Sequence, residues 1–155
     1  MNNAVPHSLT FDELLGSAGR DLGKTPWHRI KQADVIQFAE LTHDRQWIHL
    51  DEERARSGPF GTTVAHGLFT LSLAPFFVDQ LLEVRQISMG VNYGLDRVRF
   101  PAIVPVGAQV RAGAVIVSVD ASKPDRAAAT LRLTFECDAS ERPVCVADLI
   151  AVFFH

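Results

Sequence analysis

The stretch GLFTLSLAPFFVDQLL, residues 67–82, decides the fold. Its apolar side chains fall on every side of a helix, and a helix without a polar face is a buried one. Pro75 lies inside the segment and should kink the helix, because its ring removes one backbone donor. The apolar run is too short to cross a bilayer. The segment therefore predicts a long central helix that the rest of the chain must cover.

The second half of the chain is predicted to supply that cover as strands. Segments rich in β-branched and aromatic residues are separated by turn signals, at residues 87–93, 96–100, 109–120, 127–138 and 143–154. In the fourth segment Leu131, Leu133 and Phe135 alternate with polar residues, as in a strand with one buried face. Such strands form an antiparallel sheet. Because a flat sheet would leave one side of the helix exposed, we expect an α+β fold with a curved sheet wrapped around the helix.

The first sixty residues carry shorter signals. Thr10 and Glu13 fit a capping box that opens a short helix, which closes near Gly16 or Gly19. Residues 24–30 predict a first strand, and residues 33–42 carry the apolar stripe of an amphipathic helix. A further short helix is expected after Asp51, ending at residues 58–59, a Gly-Pro pair.

Length and composition indicate one domain, residues 1–155. The net charge is −3 and the basic residues form no cluster, so no nucleic-acid partner is expected. Cys137 and Cys145 lie in strand-like segments without metal-ligand spacing, which indicates reduced thiols. The first residues show no signal-peptide pattern. We therefore expect a soluble cytoplasmic protein with no membrane partner.

Asp44 and His49 are the first candidates for chemistry. Positions five apart point in different directions on a continuous helix, so the helix must end near His43 or Asp44 for the two side chains to meet. The neighbours Trp47 and Ile48 would lower the local dielectric. Desolvation raises the pKa of a carboxyl and lowers that of histidine, which favours proton transfer near neutral pH. From the spacing alone, the favoured interpretation is that Asp44 caps the helix and His49 is a surface loop residue.

A second candidate is the loop GPFGTTVAHG, residues 58–67, which leads directly into the apolar helix. The backbone N–H of Gly67 is free at a helix start and could stabilise a developing negative charge. A plain glycine-rich loop with His66 as a capping or packing residue is the alternative. The sequence shows no HExxH, P-loop or GxGxxG motif.

Three segments together resemble one known family. Residues 38–51 (FAELTHDRQWIHLD), 60–67 (FGTTVAHG) and 93–101 (YGLDRVRFP) resemble, in order and spacing, the MaoC-like dehydratases, the (R)-specific enoyl-CoA hydratases. The match runs from about Asp12 to the end of the chain. The family pattern places an Asp, four residues, then a His. Here His43 replaces the glycine before the Asp, and Gln46 and Trp47 replace an Asn-Pro pair.

The resemblance implies a hot-dog fold, in which an antiparallel sheet wraps around a long central helix, and a homodimer. It implies reversible hydration of a trans-2-enoyl-CoA to an (R)-3-hydroxyacyl-CoA. By position, Asp44 and His49 would hold the reacting water, and the amide of Gly67 would polarise the thioester carbonyl. Trp47 and His66 would contact the acyl-CoA substrate. No metal or separate cofactor is implied, since coenzyme A is part of the substrate.

Two other functions are compatible with a hot-dog fold. An acyl-CoA thioesterase would use a carboxylate to direct water at the thioester carbonyl, and it would not need the paired His49. A non-catalytic subunit that partners a second hot-dog chain could lose either member of the pair. Both Asp44 and His49 are present, which favours the hydratase.

Overall fold

The main sheet consists of long antiparallel strands in the order β2-β6-β7-β8-β5, with β3 also paired to β6. The computed structural model describes residues 6–155. The strands are β1 His7–Thr10, β2 Asp21–Lys24, β3 His28–Arg29, β4 Leu82–Arg85, β5 Met89–Arg99, β6 Gln109–Lys123, β7 Arg126–Cys137 and β8 Ser140–Phe154. The helices are α1 Phe11–Leu15, α2 Gln32–Thr42, α3 Trp47–Leu50, α4 Glu52–Arg56, α5 Gly67–Ser72 and α6 Ala74–Val78.

The inner face of the sheet forms the core with the two apolar helices. Leu131, Leu133 and Phe135 of β7 are fully buried and alternate with more exposed residues, which confirms the predicted strand pattern. The ring of Phe77 in α6 packs edge-on against Phe135, with centroids 5.6 Å apart. Register shifts interrupt the β5–β8 and β6–β7 pairings, and such bulges increase the bend of a sheet. The predicted α+β hot-dog fold is confirmed.

The central helix is shorter than predicted. The sequence indicated one kinked helix over residues 67–82, whereas α5 ends at Ser72 and α6 begins at Ala74. Pro75 stands in the first turn of α6, where its missing N–H costs nothing, so the chain restarts a helix there instead of bending one. Leu82 belongs to β4, which pairs in parallel with β1. The interruption predicted at Pro75 is therefore present, but the helical segment ends at Val78, earlier than the predicted residue 82.

The central helices are also less buried than predicted. Leu68 is 62% exposed and Phe76 is 48% exposed, so one side of α5 and α6 carries apolar side chains that the sheet of this chain does not cover. The pattern of apolar residues all round is real, but one side of it is not buried within the single chain.

The N-terminal signals are mostly confirmed. Thr10 and Glu13 form the reciprocal capping box, and Gly16 ends α1. The strand predicted over residues 24–30 is instead two strands, β2 and β3, because Gly23 adopts φ +75° and Pro26 cannot donate to a ladder. Asp51 caps α4 by accepting a hydrogen bond from Arg54 N at 2.9 Å.

The strand β5 joins two segments that the sequence separated. Residues 87–93 and 96–100 were predicted as two strands, and β5 spans both with two register shifts against β8. Among residues 6–155, no helix is long and apolar enough to cross a membrane. The first residues, whose pattern predicts no signal peptide, lie outside the described part of the chain.

Candidate active site

The chain reverses direction at the end of α2, and this reversal presents Asp44. His43 takes a left-handed conformation, φ 61° and ψ 15°, which cannot continue a right-handed helix. The hydroxyl of Thr42 donates to the carbonyl of Phe38 at 2.7 Å and closes the last turn. The predicted helix end at His43 or Asp44 is confirmed. Asp44 follows the turn with its side chain exposed.

His49 is held by its ring and by its backbone. It lies in α3 and is 7% exposed. Its Nδ1 is 2.7 Å from the carbonyl oxygen of Val64, which can only accept, so Nδ1 carries the proton and Nε2 keeps a lone pair. Gln32 donates to the carbonyl of His49 at 2.8 Å, and Thr63 donates to Gln32 at 2.6 Å. The imidazole is therefore oriented with its acceptor nitrogen free.

His66 lies between these two residues. Its Nε2 is 2.9 Å from the carbonyl oxygen of Asp44, and its ring stacks on that of His49 with centroids 3.7 Å apart and an angle of 26°. The side chain is 3% exposed. Its Nδ1 is buried and has no hydrogen-bond partner among the described residues.

The side chains of Asp44, His49 and His66 converge. One ligating atom from each lies within 4.8 Å of the others. A water that makes two hydrogen bonds of about 2.8 Å spans a separation of this size. The structure thus brings together the carboxylate and the imidazole that the sequence selected. One carboxylate and two imidazoles are also donor types that transition metals accept.

The surroundings of the pair differ from the expected apolar enclosure. His49 is buried, and burial is the main cause that lowers its pKa below the ordinary value. The Val64 carbonyl and the Asp44 charge raise the pKa of His49, and the His66 charge lowers it. Asp44 is exposed within this chain, so the expected desolvation of Asp44 is not found. The left-handed turn at the end of α2 stands at the surface of the chain.

Gly67 begins α5 and is in contact with Phe100. As the first helical residue it has a backbone N–H that the helix does not use. A Cβ at Gly67 would lie 2.9 Å from Cγ of the Phe100 ring. The close approach of Phe100 therefore requires glycine at this position.

Comparison with known proteins identifies the chain. Residues 14–135 match the sequence profile described as the MaoC like domain. The chain is 46% identical over 138 residues to 3-hydroxyacyl-thioester dehydratase Z of Mycobacterium tuberculosis, covering 89% of this chain and 91% of that protein. It is 36% identical over 148 residues to nodulation protein N of Rhizobium leguminosarum, covering 94% of this chain and 92% of that protein.

The chain belongs to the MaoC-like dehydratase family. Solved structures agree on the fold. A protein of Archaeoglobus fulgidus described as a monoamine oxidase regulatory protein superposes with a TM-score of 0.79 at 24% identity, covering 97% of each chain. The (R)-hydratase of A. caviae superposes with a TM-score of 0.70 at 22% identity, covering 86% of this chain and 94% of the hydratase. Its family and its 46% identity to a 3-hydroxyacyl-thioester dehydratase show that the chain is an enzyme of the dehydratase type.

Trp47, one of the residues at which this MaoC-like chain departs from the family pattern, packs against its own loop. The guanidinium of Arg54 lies 4.3 Å from the centre of the Trp47 ring, and a Cβ on Gly58 would be 3.0 Å from the ring. A substrate contact by Trp47 stays a prediction. The sequence did not single out Gln32, Thr63 or Phe100 as site residues. Thr63 and Phe100 had a signal, their places in the second and third family-like segments, whereas Gln32 lies outside all three.

A groove of about 360 Å³ lies between the central helices and β5 of the MaoC-like chain. Its walls are mainly apolar, from Leu68, Leu71, Ala74, Pro75, Leu95 and Leu149. Leu68, one of the residues that line the groove, directly follows Gly67 in the chain.

Proposed function

We propose that this MaoC-like enzyme reversibly hydrates trans-2-enoyl thioesters of coenzyme A to (R)-3-hydroxyacyl thioesters. The convergence of Asp44, His49 and His66 within 4.8 Å carries the proposal, because hydration needs two proton-transfer partners at one water. Relatives support the substrate class. The chain is 39% identical over 105 residues to the 3-hydroxybutyryl-CoA dehydratase of Methylorubrum extorquens. It is 29% identical over 124 residues to the (R)-specific enoyl-CoA hydratase of Rhodospirillum rubrum.

In the proposed reaction one water lies between the Asp44 carboxylate and Nε2 of His49. The pair takes a proton from this water as its oxygen attacks C3 of the enoyl group. The electrons of the double bond move to the thioester oxygen, and C2 then receives a proton from the pair. Water is added across the double bond, and no oxidant or reductant is consumed. Acid–base assistance of this kind contributes about 10²–10⁴-fold in rate.

The backbone N–H of Gly67 is the proposed donor to the thioester oxygen. It is available at the start of α5, and Phe100 packs against the glycine that carries it. One such donor is typically worth about 2.7–4 kcal/mol of transition-state stabilisation. The apolar groove that Leu68 lines is the proposed site of the acyl chain, because its lining matches a hydrocarbon.

We also propose a homodimer formed through β5. This strand is the edge of the sheet, and Met89, Val91, Tyr93 and Leu95 are each at least 39% exposed. An edge strand with so many exposed apolar residues favours pairing with another strand. A partner chain at this edge would also cover part of the acyl groove, which Tyr93 and Leu95 line.

The dimer is tested by light scattering during size-exclusion chromatography. Leu95→Arg should shift the protein toward monomer, because it places a charge in the proposed interface. Leu41→Arg is the matched control, since Leu41 is 81% exposed on α2 and should leave the mass unchanged. A monomeric wild-type chain, or a dimer that tolerates Leu95→Arg, would refute this interface.

The reaction is tested with crotonyl-CoA by following two signals together. The proposal predicts loss of the absorbance of the conjugated thioester without release of free thiol, and chiral chromatography should show the (R)-3-hydroxy product. Thiol release with the conjugation intact would indicate the thioesterase. Absence of turnover by the purified chain, with co-purification of a second hot-dog chain, would indicate the non-catalytic subunit. Dialysis against a chelator should leave the rate unchanged, since no metal or separate cofactor is proposed.

A further inference from the structure

We propose that His66 is a positioning residue that couples Asp44 to His49, and not a contact to the substrate. The proposal rests on the hydration function above. His66 is 3% exposed, so it offers a bound thioester almost no surface. Its two strongest contacts instead go to the two members of the acid–base pair.

The first contact anchors the turn that carries Asp44. A carbonyl oxygen can only accept, so His66 Nε2 carries the proton and donates it to Asp44 O at 2.9 Å. The backbone N–H of Asp44 has only a long contact, 3.5 Å, to the hydroxyl of Thr42. The imidazole of His66 therefore ties the exposed turn to the buried part of the chain, while the surface pair of Arg45 and Glu40 ties it to α2.

The second contact holds the plane of the His49 ring. The two imidazoles stack at 3.7 Å, while the Val64 carbonyl holds Nδ1 of His49 at 2.7 Å. The ring of Phe38 lies 5.1 Å from His66 at a tilt of 53° and supports it from α2. With one edge bonded and one face covered, the His49 ring keeps Nε2 directed at the shared water.

His66 also precedes Gly67, so one residue links the pair to the proposed oxyanion amide. The arrangement has a cost. With Nε2 protonated, Nδ1 of His66 is a lone pair that is buried without a partner among residues 6–155. Buried polar atoms without partners are rare, and they persist where the side chain serves another purpose. Here that purpose is the bond from Nε2 to Asp44.

Two substitutions separate the effect of the hydrogen bond from His66 to Asp44 from the effect of packing against His49. His66→Phe keeps a flat ring against His49 and removes the donor to Asp44. His66→Gln places an amide N–H near the position of Nε2 and restores that donor. A misplacement of about 1 Å costs about 10²-fold in rate, so we expect His66→Phe to lower kcat about 100-fold with KM within about twofold. His66→Gln should recover about tenfold of that loss.

Thr70→Val is the control, because Thr70 is buried on α5 and donates only to the backbone of His66 at 3.3 Å. Its kcat should stay near that of the wild type. The split between kcat and KM, together with the recovery in His66→Gln, separates positioning from a purely structural role.

The proposal is overturned by a His66→Phe enzyme with wild-type kcat, by a loss confined to KM, or by folded Phe and Gln variants of equal activity. Failure of both variants to fold, judged by thermal unfolding, would make His66 a packing residue and overturn it as well. Asp44→Asn in the same series separates this result from a failure of the hydration function. A wild-type enzyme without crotonyl-CoA hydration would reject the function, and an active Asp44→Asn enzyme would reject the role of Asp44, whereas the His66 series concerns only the coupling.

Discussion

His49 donates its Nδ1 proton to the carbonyl oxygen of Val64 across 2.7 Å, and this bond selects the tautomer. The acceptor nitrogen Nε2 is left free, and Asp44, His49 and His66 each place one ligating atom within 4.8 Å of the others. Because the bond involves the main chain, no side-chain substitution at position 64 removes it. The orientation of the proposed base is thus built into the backbone between α4 and α5.

The pKa of His49 should lie below its ordinary value of 6.5, because burial penalises the charged imidazole more than the Val64 bond and Asp44 favour it. The neutral form is the one that accepts a proton from water, so it should persist into mildly acidic solution. An NMR titration of the imidazole carbons, with His49→Gln for assignment, measures this value. A midpoint at or above 6.5 would contradict the predicted direction.

The same shift predicts how stability depends on pH. A histidine whose pKa is lower in the folded state takes up a proton more readily when unfolded. The free energy of unfolding should therefore fall as pH drops below about 6.5 and level off below the folded pKa. Urea unfolding measures the free energy of unfolding at pH 7.5 and 5.5. The decrease between these two pH values should be smaller in His49→Gln than in the wild type. An equal loss in both proteins would count against this assignment.

Gly67→Ala should lower both turnover and stability through Phe100. The added Cβ would sit 2.9 Å from the ring, so either the ring or the start of α5 must move, although the amide itself remains. In a Phe100→Ala background, Gly67→Ala should lower kcat and Tm much less. A double-mutant cycle in kcat and Tm measures this coupling between the two residues. Gly16→Ala is the control, because nothing lies within 4 Å of its added Cβ. Additive effects of the two substitutions would exclude the contact as the cause.

Arg132→Met should destabilise the protein more than Arg45→Met. Both arginines make paired hydrogen bonds to a carboxylate, but the Asp148 side chain is 8% exposed while the Glu40 side chain is 58% exposed. Removing Arg132 leaves a buried carboxylate without its main partner, which is costly, whereas exposed pairs contribute little. Thermal unfolding at pH 7 should show a Tm several degrees lower for Arg132→Met alone. Equal Tm values would contradict the prediction.

The Arg132–Asp148 pair also has a pH signature. The hydrogen bonds from Arg132 hold the pKa of Asp148 below its ordinary value. The stabilisation is therefore present above the ordinary carboxyl pKa and is lost as pH falls through the lower folded pKa. The Tm difference between wild type and Arg132→Met should narrow below about pH 4.

His43→Gly should stabilise the turn before Asp44. A side chain at φ 61° is strained, and a left-handed residue other than glycine costs about 1–2 kcal/mol. Part of this gain is offset by the greater freedom of glycine in the unfolded chain. The expected rise in the free energy of unfolding is up to about 1 kcal/mol, and His43→Ala, which keeps a Cβ, should show none. If the glycine variant were less stable than the alanine variant, the backbone at His43 would not be strained.

Local sequence patterns predicted the elements whose causes are local. The alternation in β7 follows from one buried face, and α2 ends where the chain needs a turn to bring Asp44 toward His49. The contact between His66 and Asp44 joins residues twenty-two apart and has no periodic signature. Local patterns in the sequence therefore could not indicate a link between His66 and Asp44.

Other differences between the predicted and the observed structure depend on residues outside the helix or strand concerned. The outer side of α5 and α6 was predicted to be buried, yet Leu68 and Phe76 are exposed in the single chain. An apolar pattern indicates that a surface is buried, but it does not show whether the same chain or a partner chain buries it. The exposure of Asp44 has the same explanation if a second copy closes the site. The pairing of β1 with β4 is parallel and long-range, so short hairpin signals could not reveal it.

The central claim, an acid–base pair acting on one water, is tested most directly by the kcat of Asp44→Asn and His49→Gln with crotonyl-CoA. Each folded variant should lose at least about 10²-fold in kcat, and the double variant should be little worse than either alone, because the two residues act as a unit. Near-normal turnover in both single variants would contradict the account.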